Sequence, residues 1–421
     1  MRLRHPDGTT VHLGYCSNVH QAEDLDGVLA QLADHAEPVR ERLGVDRLGI
    51  GLWLARDVVT RLTREPGELG RLKSELDARG LETVTLNAFP YAGFHRDVVK
   101  KDVYLPDWAD EARLTHTLDC ARLLAALLPD DAERGSVSTL PLAWRTPWPP
   151  DRADTARRAL DRLAAGLATI ESDTGRRVRV GFEPEPGCVV ETTVQAVREL
   201  RGLDPERLGV CLDACHLAVQ FEEPGAALRR LAEAGLPVVK LQASCAIEAA
   251  DPGDPAARAA LHRLAEPRFL HQTRTTVPRG TDGEERTAAE RVDRETRTAS
   301  RSGDREVPGD SEALGPGVLG VDDLPDALGG ALPTDTGPWR VHFHAPLHAD
   351  PEPPLRTTAD QLGRVLAGLL GGPSADCDHI EVETYTWSVL PEPPTDLPGG
   401  IAAELAWARD RLTGLGLKDD R

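Results

Sequence analysis

The chain has 421 residues, of which 40% are hydrophobic and 28% charged, enough apolar material for a sizeable core. Its 69 acidic residues against 49 basic ones leave a net charge of −20. That balance repels nucleic acid and anionic membrane surfaces, and no apolar run reaches the roughly 18 residues that a transmembrane helix requires.

The amino terminus, Met1-Arg2-Leu3-Arg4-His5-Pro6-Asp7-Gly8, lacks the apolar stretch of a secretory signal, so a cytoplasmic location is expected. The seven cysteines, at 16, 120, 188, 211, 215, 245 and 377, follow no paired spacing, which predicts reduced thiols. Cys211 and Cys215 stand four apart and do not make a zinc-ribbon pattern.

In chain order, β-branched apolar runs alternate with stretches of helical periodicity. Residues 12–16 read as the first strand. The helix after Asp24 presents Val28, Leu29, Leu32, Ala36 and Val39 as one stripe. Further strands are expected at 47–54, 83–87, 136–142, 178–183, 208–213, 238–242 and 380–385. Between the third and fourth, Leu114, Leu118, Ala121, Leu124 and Leu128 form a second stripe. Alternation of this kind means a parallel sheet, and eight such units predict a closed (β/α)8 barrel. No GxGxxG follows a strand, which argues against a doubly wound sheet. The whole chain, 1–421, is expected to form one domain.

One segment interrupts the rhythm. From about 276 to 317 Arg, Glu, Asp, Thr, Gly and Ser dominate, which predicts a disordered insertion after strand seven. Beyond it come a short helix from 322 to 328 and a ninth strand-like run, 339–346. The simplest place for that run is a hairpin with residues 268–272, folded over the barrel mouth.

In a barrel, chemistry gathers at the carboxyl ends of the strands. The polar residues there are Asn18 and His20, Asn87, Glu183 and Glu185, Asp213 with His216, Lys240 and Gln242, and Glu381 and Glu383. Residues two apart share a strand face, so Glu183 with Glu185, and Glu381 with Glu383, can point into the lumen. Crowded carboxylates raise one another's pKa and are costly to bury unless a proton or cation intervenes. A divalent cation is the economical solution: Mn²⁺, Mg²⁺, Co²⁺ or Zn²⁺ all suit oxygen ligands with a histidine nearby. Each residue alone has a plainer reading. A strand-end Glu is commonly a solvated rim residue, Asp213 could cap the next helix, His342 and His344 could be polar contacts of a hairpin or an H-x-H ligand pair, and Lys100 and Lys101 a solvated charge pair.

Taken together, Phe182-Glu183-Pro184-Glu185, Leu212-Asp213-Ala214-Cys215-His216 and Ile380-Glu381-Val382-Glu383 resemble the xylose-isomerase-like barrels, the sugar phosphate isomerases and epimerases. In that superfamily a Glu, an Asp, a His and a Glu from strands five to eight bind the metal, and the His of D-x-x-H contacts substrate. The resemblance therefore implies Glu183, Asp213 and Glu383 as ligands, Glu183 and Glu383 also as the catalytic proton carriers, and His216 as a substrate contact. The pattern departs at strand seven, where Lys240-Leu241-Gln242 stands in place of a histidine. Gln242 is the favoured third ligand by its distance from strand six, and His344 the alternative by its distance from strand eight. His20, Asn87, Glu185, Lys240, His342 and His344 complete the expected substrate-binding set.

Over nearly the whole chain the sequence resembles the EboE metabolite-traffic family. The resembling stretches are Tyr15-Cys16-Ser17-Asn18-Val19-His20, Thr85 to Tyr91, Ser136 to Leu142, Glu183 to Cys188, Val341-His342-Phe343-His344 and Glu381 to Trp387. That resemblance implies a small-molecule metabolite, secondary-metabolite processing or export, and Ebo-cluster partners including a membrane prenyltransferase-like protein. Two functions follow as expectations: a metal-dependent isomerase or epimerase, or a non-catalytic metabolite carrier. Metal-assisted cleavage of DNA is disfavoured by the acidic charge.

Overall fold

The computed structural model describes residues 1–277, 317–351 and 353–420. Eight parallel strands close into a barrel: β1 (Thr10–Cys16), β2 (Leu48–Trp53), β3 (Thr85–Asn87), β4 (Arg134–Thr139), β5 (Arg177–Phe182), β6 (Leu208–Asp213), β7 (Val238–Ala243) and β8 (His379–Val382). Each pairs with the next, and β8 returns to β1 with His379 opposite His12 and Val382 opposite Tyr15. The closing seam between β1 and β2 is narrow. A Cβ on Gly14 would meet the Gly49 carbonyl oxygen at 2.5 Å, so glycine is what allows the two backbones to approach there.

Helices cover the barrel and bury the predicted stripes. Asp24 caps Leu25–Gln31 by accepting from the Gly27 amide, and the turns continue to Leu43 with Val28, Leu29, Leu32, Ala36 and Val39 all buried. Glu111–Leu127 buries Leu114, Ala121 and Leu124 against the sheet, with Leu128 at its end and Leu118 half-buried. Among the described residues no helix is long and apolar enough to cross a membrane. All seven cysteines are buried and unpaired.

Several strands end earlier than their apolar runs. The fourth stops at Thr139, because Leu142 two residues past Leu140 adopts φ 74 and turns the chain. The eighth stops at Val382 and gives way to a tight helical turn at Tyr385–Val389. β3 begins at Thr85, after a separate short strand at Leu81–Glu82.

The connection after β7 forms a second sheet rather than a hairpin. Its five antiparallel strands lie in the order Val318–Val321, Thr273–Thr276, Trp339–Val341, Ile247–Ala249, Leu355–Thr357. The ninth strand thus pairs with residues 273–275, Thr273 opposite Val341, and among the described residues a single backbone–backbone bond, from the His342 amide to the Gln272 carbonyl, reaches the segment expected as its partner. The strand is also shorter than its sequence pattern. After Val341 the Phe343 amide turns back to the Val341 carbonyl, and the Ala345 amide binds the Cys245 carbonyl beyond β7. His342 and His344 therefore hang from a loop, not from one strand face. The expected helix from 322 is present as a short turn, Leu324–Asp326 continued by Ala327–Ala331 and capped by Asp323. The core of the insertion expected at 276–317 lies outside the described residues, and its described ends, Val277 and Gly317, are joined by a backbone hydrogen bond of 2.8 Å.

Candidate active site

Buried polar side chains stand on the barrel strands, and beneath the strand ends two of them form an internal ion pair. Lys240 Nζ lies 2.6 Å from Glu381 Oε2, both fully buried, and donates to Ser138 Oγ at 3.2 Å. Gly51 makes room for this pair, since a Cβ there would fall 1.3 Å from Glu381 Oε1. Lys240, expected at the substrate, is thus committed to Glu381 beneath the site and does not line the cavity. His20 is also outside the cavity lining: its Nε2 meets the Tyr15 hydroxyl at 3.1 Å and its ring stacks on His35.

Above this layer the strand ends bring together Glu183, just past β5, Asp213, the last residue of β6, and Glu383, just past β8. Their ligand atoms lie within 4.8 Å of one another. Two of the three carboxylates keep a buried oxygen with no partner. Asp213 Oδ1 accepts from the His216 amide at 2.9 Å and from Ser244 Oγ at 2.8 Å, while Oδ2 is buried without a partner. Glu383 Oε1 accepts from Asn18 Nδ2 at 2.8 Å and Asn87 Nδ2 at 3.0 Å. Glu183 Oε2 is buried and bare. Burial, joined by the Glu383 and Asp213 charges, raises the Glu183 carboxyl well above its usual range. Burial, with Asp213 and Glu381 nearby, pushes Glu383 up to about 8. Three buried carboxylates, two of them with an unpaired buried oxygen, are unstable as neighbours without a proton or cation between them.

His344 stands beside this trio, on the Asp213 side. Its Nδ1 lies 2.6 Å from the Glu383 carbonyl oxygen, which can only accept, so the proton sits on Nδ1 and Nε2 presents a lone pair. That Nε2 is buried, has no hydrogen-bond partner and lies 3.9 Å from Asp213 Oδ2. A histidine whose far nitrogen is fixed on a carbonyl has the arrangement metal-ligating histidines adopt. Gln242 stands in register with Asp213 on β7, fully buried, with neither amide atom hydrogen-bonded. It does not line the cavity.

The remaining expected residues face the cavity. Glu185, His216, His342, His344 and Asn87 all line it. Glu185 Oε1 accepts from the Tyr104 hydroxyl at 2.9 Å, and its Oε2 lies 3.1 Å from His216 Nε2. Phe94, Phe269 and Tyr385 form an aromatic wall at the mouth, with ring centroids 4.9 to 5.6 Å apart. Tyr104, Phe94, Phe269 and Gln272 escape a reading of strand ends because they sit in connecting segments, whereas Ser244, one residue past β7, and Tyr385, the end of an expected strand, stand within reach of that reading without being singled out by it. Lys100 is tied to Asp323 at 2.5 Å, and Lys101 lies over the Trp144 ring.

The fold and site together define a closed parallel (β/α)8 barrel with carboxylates and histidines at its strand ends. The family model described as Xylose isomerase-like TIM barrel matches residues 40–243. No functionally curated relative matches the sequence significantly. Among solved structures, a xylose isomerase-like TIM barrel protein from Mycobacterium smegmatis in complex with magnesium is 13% identical, with 98% of this chain and 94% of that one covered and a TM-score of 0.48. The 3-keto-D-glucoside 4-epimerase of E. coli, in apo form, is 15% identical over 55% of this chain and 79% of its own, with a TM-score of 0.35. The IOLI protein with a bound zinc atom is 14% identical over 55% and 73%, with a TM-score of 0.36. Likenesses this loose carry no weight for substrate or mechanism.

Proposed function

We propose that this chain is a divalent-metal-dependent isomerase or epimerase of a small, polar, carbonyl-bearing metabolite. The observation that carries the reading is the clustering of Glu183, Asp213 and Glu383, with Glu183 Oε2 and Asp213 Oδ2 bare and buried and the bare His344 Nε2 lying 3.9 Å from Asp213 Oδ2. Glu183, Asp213, Glu383 and His344 would hold the cation, with His344 taking the place that strand seven leaves to Gln242. The bound cation would supply Lewis acidity, polarising a carbonyl and neutralising charge that develops on its oxygen.

The chain's own groups supply the rest. Asn18 and Asn87 fix one oxygen of Glu383 and so aim the other at the cavity, where it can take or return a proton at carbon. Glu183 faces it from across the ring and serves as the partner acid or base. His216, oriented by the Pro184 carbonyl at 2.8 Å, and Glu185, oriented by Tyr104, border the substrate's polar groups. Phe94, Phe269 and Tyr385 would pack on its C–H face and exclude water.

The finer placement is an EboE-type role in secondary-metabolite processing or export in the cytoplasm, alongside Ebo-cluster proteins such as a membrane prenyltransferase-like protein. It rests on the motif resemblance alone. The second reading, a metabolite carrier, is favoured by one feature, the replacement of the strand-seven histidine by Gln242. The two separate in heavy water. Metal-reconstituted protein incubated with a panel of ketoses and aldoses should exchange the proton beside the carbonyl for deuterium, read by NMR, and Glu383→Gln should lose this by about 10²-fold or more. Binding of a panel member by the wild-type protein without any exchange would leave the carrier standing.

A further inference from the structure

We infer that Arg113 is a positioning residue for the site: its guanidinium staples both ends of the 88–106 connection and through it holds Asn87 on Glu383. The inference rests on the proposed role of Glu383 as ligand and proton carrier. Arg113 lies in the first turn of the helix Glu111–Leu127 and is fully buried. Its Nε donates to the Pro106 carbonyl at 2.8 Å, and its Nη1 to the Ala88 and Phe89 carbonyls at 2.6 and 2.9 Å. One side chain thus closes the neck of the loop that leaves β3 at Ala88 and returns past Pro106 to the helix.

A stable core does not call for this group. A buried guanidinium is costly unless it is paired, and among the described residues no carboxylate bonds to this one. Burial pulls it down to about 10, and its Nη2 is buried with no partner at all. A leucine or methionine would fill this helix face at lower cost. What the arginine adds is a rigid planar fork that reaches three carbonyls at once, which neither an apolar chain nor a lysine supplies.

The carbonyls it holds sit next to the site. With Ala88 and Phe89 pinned, the Phe89 amide turns back onto Asn87 Oδ1 at 2.9 Å. A backbone amide only donates, so this contact settles which end of the Asn87 side chain is the oxygen and leaves Nδ2 to donate to Glu383 Oε1 at 3.0 Å. The other side of the neck carries Tyr104, two residues before Pro106, whose hydroxyl donates to Glu185 Oε1 at 2.9 Å. Between these points the loop lines the cavity with Phe89, Phe94 and Val103. An open neck would free Asn87 to reverse its amide, and a reversed amide sets an oxygen against the Glu383 carboxylate.

The test is a double-mutant cycle read in Co²⁺ affinity, by titration calorimetry of the full chain, with the folded state checked by circular dichroism. Arg113→Lys should weaken Co²⁺ binding about 10-fold, as Asn87→Ala does, yet less than about 3-fold further once Asn87→Ala is present. A residue that served the fold alone would lower stability and leave the Co²⁺ affinity of the folded protein unchanged. Wild-type affinity in folded Arg113→Lys, or losses that simply multiply across the cycle, overturn the inference. A wild type that binds no Co²⁺ overturns the proposed metal site instead. In that case, or if Arg113→Lys does not fold, amide hydrogen exchange of the wild type decides on the staple. The Phe89 amide should exchange as slowly as those of β3 and β4, and exchange at the rate of an exposed loop overturns it.

Discussion

Removing the metal should make stability depend on pH in a direction set by Glu383. Its carboxyl sits at about 8 in the folded chain against an ordinary 4.5, so folding takes up a proton across that interval. For a carboxyl raised by folding, the contribution is fully present below the unfolded value and is lost as pH rises through the folded one. Each pH unit inside the window is worth about 1.4 kcal/mol, so a metal-free protein should lose roughly 4 kcal/mol between pH 5 and pH 9 through this group. Glu183, raised by the same burial and by the same neighbours, adds loss of the same sign. With an unfolding entropy on the order of 0.8 kcal/mol/K for a chain this size, the Glu383 share lowers Tm by about 5 °C. Thermal unfolding of EDTA-treated wild type and Glu383→Gln, followed by circular dichroism from pH 5 to 9, isolates the effect, because the amide cannot titrate. The wild-type Tm should fall more steeply than the variant's, and saturating Mn²⁺ should abolish the excess by replacing the proton. Parallel Tm curves for the two proteins without metal would refute the reasoning.

Other expectations follow from single contacts. His344→Ala should weaken metal binding about 100-fold by titration calorimetry, whereas Gln242→Leu should leave it within a few-fold and keep or raise Tm, because it removes two unpartnered buried polar atoms. Ser244→Ala takes one of two donors from Asp213 Oδ1 and should weaken metal binding about 10-fold with little loss of Tm. Glu404→Ala strips the Leu347 amide, Thr384 hydroxyl and Trp387 indole of their shared buried acceptor and should cost about 3 kcal/mol or more in denaturant unfolding, loosening both loops that carry His344 and Glu383. Gly51→Ala should prevent stable folding, read as loss of a cooperative thermal transition, because its Cβ would overlap Glu381.

The barrel was legible because its signals are local. Eight apolar runs and amphipathic stripes such as Val28 to Val39 dictate strand and helix before any tertiary contact, and strand ends place Glu183, Asp213 and Glu383 among the candidates from which the motif resemblance singles them out. What was not legible depends on where loops return. Nothing in the run around Val341 marks where the strand breaks, since the chain beyond the turn at Phe343 is held by the bond from the Ala345 amide to the Cys245 carbonyl, far away in the chain. For the same reason His344 could not be weighed fairly against Gln242: its lone pair is aimed by the Glu383 carbonyl, a contact no spacing reveals. Lys240 misled in the opposite way. A lysine near a strand's carboxyl end suggests a substrate contact, yet one layer lower it is neutralised by Glu381, and the difference is one of depth along the barrel axis.

The most direct measurement is anomalous X-ray diffraction, at the metal's absorption edge, from crystals of the full chain grown with Mn²⁺ or Zn²⁺. The predicted result is a peak bounded by Glu183, Asp213, Glu383 and His344, at about 2.0 to 2.3 Å from their ligand atoms. An empty ring of carboxylates at saturating metal, or peaks confined to the acidic surface, would contradict it.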